Sequence, residues 1–119
     1  MKTTIKQGTC FSPCIKLTYK KTGSPVDLTG CEAYSQMRTE PGGELVATGI
    51  CNVNSGTGRI TVTYNSLVTE NIPVGEYGYD IWLVVGSDET QKRPIWDEKI
   101  SVVGRYTDNF SPASEVENG

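Results

Sequence analysis

The chain has 119 residues, a formal net charge of −3, 36% hydrophobic content, 13 glycines and no histidine. That length suits one domain with a core of its own, and the acidic balance argues against nucleic acid, whose phosphates need a cationic face. Without histidine, the usual general base and most catalytic zinc sites are excluded, and no apolar run is long enough to span a membrane.

The opening residues, Met-Lys-Thr-Thr-Ile-Lys-Gln-Gly, lack the apolar core of a signal peptide. We therefore expect a protein made and kept in the cytosol, or one that leaves by a route needing no signal. Thr3 to Thr9 reads as a short polar strand or arm, broken at Gly8. From there Phe11, Pro13, Ile15, Leu17 and Tyr19 alternate with Cys10, Ser12, Cys14, Lys16 and Thr18, as in a strand with one apolar face. Pro13 cannot donate to a ladder, so this strand needs an edge or a bulge near its start. On one strand, Cys10 and Cys14 would sit about 13 Å apart, beyond the roughly 7 Å a disulfide tolerates. Cys31 and Cys51 read as small apolar residues, and with no export signal all four thiols are expected to stay reduced. A Cys-x3-Cys pair without histidine is too sparse to specify zinc.

Lys20 to Pro25 forms a loop. In Val26-Asp27-Leu28-Thr29-Gly30, Asp27 is placed to accept from backbone amides two residues on, and Leu28 to plug one end of the core. The next strand, Cys31 to Thr39, turns Cys31, Ala33, Ser35 and Met37 inward and Glu32, Tyr34, Gln36 and Arg38 outward. Glu40-Pro41-Gly42-Gly43 is a turn. Glu44 to Val53 reads as a weaker strand whose phase Gly49 blurs. After the turn at 54–58, Ile60, Val62 and Tyr64 point inward and Arg59, Thr61 and Thr63 outward, and Ser66 to Glu70 suits one helical turn.

The stretch Asn71 to Val85 organises the rest. Pro73 and Gly75 make a turn, and Tyr77, Tyr79, Ile81, Leu83 and Val85 then share one face, opposite Glu76, Gly78, Asp80, Trp82 and Val84. The spacing fits a tyrosine corner, in which a Tyr at a strand start bonds back to the preceding loop; an ordinary turn before a strand fits it too. Gly86 to Glu89 is a hairpin turn. Thr90 to Val103 is the last strand, with Ile100 and Val102 inward and the register open around Pro94 and the Asp97-Glu98 pair. Residues 1–104 make one domain. Arg105 to Gly119 is polar and aperiodic, and reads as a free tail or one held by a neighbouring subunit.

About seven strands at regular spacing, with no long helix, define an all-β fold, an antiparallel sandwich or barrel. No catalytic constellation gathers on it. Asp97 and Glu98 fall on opposite faces of one strand, the remaining acids are scattered, and no calcium or nucleotide motif is present. No enzyme activity, cofactor or metal is expected. Asn109-Phe110-Ser111 matches a glycosylation sequon, which no secretion signal supports. Contact surface is the stronger candidate. Trp82 lies opposite the tyrosines and is either an interface anchor or covered by a loop or second sheet. Trp96 is expected on the adjacent strand within reach of it, Tyr34 faces outward in phase, and Phe110 is a lone apolar group suited to a partner's groove.

Several pieces in order resemble a family of small structural proteins of tailed bacteriophages and prophages: Ile5-Lys6-Gln7-Gly8, Pro25-Val26-Asp27-Leu28-Thr29-Gly30, Arg38, Gly58-Arg59-Ile60, Ile72 through Asp80, and Ile100-Ser101-Val102. They span Ile5 to Val103. The resemblance extends to N-terminal domains of phage baseplate upper proteins. It implies an Ig-like β-sandwich serving as a virion part, such as capsid decoration, a collar component or a tail or baseplate accessory. It further implies multiple copies that contact other virion proteins, with assembly in the bacterial cytoplasm. The chain departs from the pattern in its four cysteines and in Glu98, where glycine is usual. A receptor- or carbohydrate-binding module is the other reading, with Trp82, Trp96 and Tyr34 as its aromatic candidates.

Overall fold

The computed structural model describes residues 2–86 and 91–106. They form seven strands and one helical turn: β1 Lys2–Lys6, β2 Cys14–Lys16, β3 Glu32–Arg38, β4 Leu45–Asn54, β5 Arg59–Thr63, α1 Ser66–Glu70, β6 Gly75–Val84 and β7 Lys92–Val103. The protein is all-β. Its strands join in the order β1-β7-β6-β3-β4-β5-β2. The expected antiparallel pairing has one exception: β1 runs parallel to β7, from Lys2 beside Lys99 to Lys6 beside Val103. Parallel neighbours need a long connection, and here nearly the whole domain supplies it.

The two layers foreseen from the alternation are arms of one curled strip, and β4 is the fold line. Its first half pairs with β3, placing Ala47 beside Met37 and Gly49 beside Ser35. Its second half pairs with β5, from Ile50 beside Thr63 to Asn54 beside Arg59. The strip curls over so that β5 lies across the core from β3 and β6. Tyr64 Oη and Ser35 Oγ share a buried hydrogen bond of 2.7 Å, and the Tyr64 and Tyr79 rings are 6.1 Å apart. Gly49 makes this approach possible, since a Cβ there would lie 2.6 Å from Val62 Cγ1 and 3.0 Å from Tyr64 Cζ. It does not blur the phase of β4: Ala47, Cys51 and Val53 pack inward, while Ile50 is exposed.

Apolar alternation fills the core as the hydrophobic effect requires. Met37, Ile60, Val62, Tyr64, Ile81 and Ile100 are fully or almost fully buried, and Leu28 closes one end at 1% exposure. Phe11 bridges to Tyr64 and meets Tyr79 edge-on at 5.4 Å, an arrangement that ring quadrupoles favour. Asn65 caps α1 by accepting from the Val68 amide at 3.0 Å, and the buried Thr69 hydroxyl donates to the Thr9 carbonyl at 2.8 Å. The tyrosine corner is present: Tyr77 Oη donates to the Pro73 carbonyl at 2.6 Å.

Three further expectations change. The strand begun at Phe11 is only three residues long, with an isolated bridge on each side, Phe11 to Tyr64 and Thr18 to Pro25. Tyr19, expected inward, is 52% exposed because the chain has already turned, the Gly23 amide closing onto the Tyr19 carbonyl at 2.8 Å. At the end of β6, Val84 is buried and Val85 exposed, the reverse of strict alternation. The expected hairpin turn at Ser87 to Glu89, and Thr90, lie outside the described residues. Among the described residues, no helix is long and apolar enough to cross a membrane.

Candidate functional site

Strand register decides which candidate residues meet. Cross-strand partners lie on one face of a sheet. Tyr34 of β3 pairs with Trp82 of β6, and Trp82 pairs with Pro94 of β7. Gly49, the partner of Ser35, is the last β4 residue paired along β3, and Ile50, one step on and already paired with Thr63, is exposed at the β4 end of the same face. Ile50, Tyr34, Trp82 and Pro94 therefore cross the outer face of the sheet as one apolar row. Exposure is 61% at Ile50, 54% at Tyr34 and 38% at Trp82, and Pro94 is exposed too. No loop or second layer of the described chain covers them.

Both aromatic side chains are anchored in the same way. Tyr34 Oη donates to Glu32 at 2.6 Å, and Trp82 Nε1 donates to Asp80 at 3.0 Å. In each case the acceptor lies two residues back on the same strand, where the period of two puts it on the same face. Because β3 and β6 are antiparallel, the two rings lean in opposite directions along the strands. The hydrogens that a sugar hydroxyl would otherwise meet are already donated within the protein. What the row presents outward is ring face and aliphatic surface.

Trp96 is not part of this row. The β6-β7 register shifts between Ile81 and Trp82, so that Trp82 faces Pro94 while Ile81 faces Trp96, leaving Ile95 as the extra residue. Such a bulge re-aims side chains. Ile95 packs against the core, and Trp96 Nε1 donates to Tyr79 Oη at 3.2 Å on the inner side. The expectation that Trp96 comes within reach of Trp82 is corrected: they share neighbouring strands but opposite faces. On the outer face the bulge makes Pro94 and Asp97 neighbours. Phe110 lies outside the described residues.

Glu98 belongs to the inner side. Its carboxylate accepts from Tyr79 Oη at 2.7 Å and from Thr3 Oγ1 at 2.8 Å, which ties β1, β7 and β6 together. Burial pushes the Tyr79 hydroxyl well above the ordinary tyrosine range, and the bond to Glu98 adds to it. Asp97 pairs with Asp80 on the outer face, so the two adjacent acids do diverge.

Where β4 leaves β3, a cleft of about 310 Å³ opens, lined by Cys31, Ala33 and Tyr34 on one side and Cys51 and Val53 on the other. The sequence gives no sign of it, because it arises from the change of partner at Gly49. Burial raises the Cys51 pKa, so this thiol is a poor nucleophile at neutral pH. All four cysteines are free, and among the described residues no group of three or more metal-ligating side chains comes together.

At the other end of the sheet, Arg105 donates to the Gln7 carbonyl at 3.3 Å and to Glu70 at 2.9 Å. The residue expected to begin a tail is bonded to the body, and Tyr106 is the first fully exposed position after it. Searched against models of known protein families, the chain matches none, and no curated protein matches it.

Proposed function

We propose that this protein is a non-enzymatic structural component of a tailed-phage virion, an Ig-like domain that works by protein–protein contact. The observation that carries the contact reading is the exposed row Ile50, Tyr34, Trp82 and Pro94 on one sheet face. Apolar area held on regular strands, with its ring donors already satisfied, is the composition of an interface centre. The phage assignment rests on the ordered sequence pieces from Ile5 to Val103. The corner at Tyr77 and the strand order, in which one strand passes from one layer to the other, agree with the Ig-like expectation. Capsid, collar and tail or baseplate proteins are the partner classes, and multiple copies are expected in the particle.

The test is incorporation. Particles from an induced lysate are banded by density and probed for this chain. It should band with the particles, and Trp82→Glu should leave the protein folded but shift it to the soluble fraction. Wild-type protein found wholly outside the particles would remove the virion reading.

A further inference from the structure

We propose that the outer face is a self-contact: two copies of this chain pack face to face, related by a two-fold axis running along the row Ile50, Tyr34, Trp82 and Pro94. This deepens the contact reading above and names its partner. The row itself supplies the apolar centre. Because Tyr34 Oη and Trp82 Nε1 already donate to Glu32 and Asp80, a matching apolar surface suits it better than a hydroxyl-rich ligand.

The charges beside the row select the axis. On β7, Lys92 lies on one side of Pro94, beside Val84. Asp97 lies on the other side, beside Asp80, brought next to Pro94 by the bulge at Ile95 and Trp96. Rotation about the row lays each side of it on the opposite side of the second copy. Lys92 then faces the second copy's Asp97, and the symmetry repeats the pair, so one contact contains two ion pairs. On β3 the same rotation sets Glu32 against the neutral Gln36. An axis along the strands would instead carry Lys92 over the cleft where β4 has left β3, whose β4 side, Cys51 to Val53, offers no acid to meet. A two-fold contact also closes at two copies and hides the whole row.

Sedimentation velocity and light scattering on the full chain, from about 1 to 100 μM, test this. The expected result is a monomer–dimer equilibrium. Ile50→Glu, at a position exposed enough to leave folding intact, and Trp82→Glu should each weaken the dimer at least tenfold, with unchanged circular dichroism. Lys92→Asp or Asp97→Lys alone should weaken it about tenfold. The double swap should return to within about threefold of wild type, because it restores both pairs with reversed sign. Trp96→Phe, on the other face, should change nothing. A chain monomeric at 100 μM, a dimer indifferent to Ile50→Glu, a double swap no better than the singles, or growth beyond two copies would each overturn the proposal. So would an oligosaccharide that binds a monomer through Trp82. A monomeric protein that still bands with particles sinks this inference alone and leaves the virion reading standing.

Discussion

At the residue scale, two positions hold geometry that no neighbour can replace. Gly49 lies under Val62 and Tyr64, where a methyl group would come within 2.6 Å and 3.0 Å of their side chains. Its backbone needs no positive φ, so the strain of Gly49→Ala is one of packing. Overfilling a tight core costs about 1–3 kcal/mol, and chemical denaturation should show a loss of about 2 kcal/mol with an unchanged m-value. A variant as stable as wild type would mean that β5 moves away freely, and that the curl at β4 is soft. Tyr77 is the second such position. Removing its hydroxyl leaves the Pro73 carbonyl to solvent, so Tyr77→Phe should lose about 1 kcal/mol, mostly as faster unfolding if the corner locks late. Stopped-flow unfolding rates separate that case from a corner formed in the transition state, which would slow folding instead.

At the element scale, pairs of strands decide what single residues do. Local signals were readable in the chain: the alternation at Ile60, Val62 and Tyr64, the helical turn before Ile72, the Asp27 bond to the Thr29 amide at 3.0 Å, and the corner all depend on neighbours within a few positions. Three features were not. The parallel pairing of β1 with β7 joins the two ends of the domain. The change of partner in β4 leaves no mark on its own alternation. The bulge at Ile95 separates Trp96 from Trp82, which a period of two cannot foresee. The row Ile50, Tyr34, Trp82 and Pro94 was therefore half legible: the outward phase of Tyr34 and Trp82 was, the places of Ile50 and Pro94 were not. The cluster between β5 and β6 makes a prediction at the same scale. Burial holds both the Tyr64 and Tyr79 hydroxyls above the ordinary tyrosine value of 10.0. The unfolded chain then loses these protons near pH 10 while the native state keeps them. Stability should be fully present below pH 10 and fall as pH rises above it, by up to about 1.4 kcal/mol per pH unit for each tyrosine. Denaturant titrations from pH 8 to 11.5 read this slope directly. Tyr79→Phe should flatten it, and an equal slope in that variant would show that other groups govern alkaline unfolding.

At the scale of the whole molecule, the two ends of the sheet differ in what they expose. The row of exposed apolar side chains crosses the outer face, while the chain leaves from the end where β1, α1 and β7 meet. Arg105 closes that end. Its side chain is 16% exposed and bridges the Gln7 carbonyl and Glu70, and it passes so close over Gly8 that a Cβ there would lie 2.0 Å from Nη1. Gly8 also has φ of 87°, and it is this backbone conformation that calls for glycine, since the close approach falls on the movable end of the Arg105 side chain. Arg105 therefore belongs to the body and not to the tail in which the sequence placed it. A chain stopped at Gly104 should lose about 1 kcal/mol relative to one stopped at Tyr106, because it gives up a charge-assisted contact that joins segments far apart in sequence. For a domain near 100 residues that is about 4–8 °C in Tm. Arg105→Ala in the full chain should reproduce the loss, and Gly8→Ala should exceed it by adding backbone strain. If the two truncated chains melt together, the Arg105 contact adds nothing to stability. In that case the position of Arg105 over Gly8 follows from the end of β7 and not from the bonds its side chain makes.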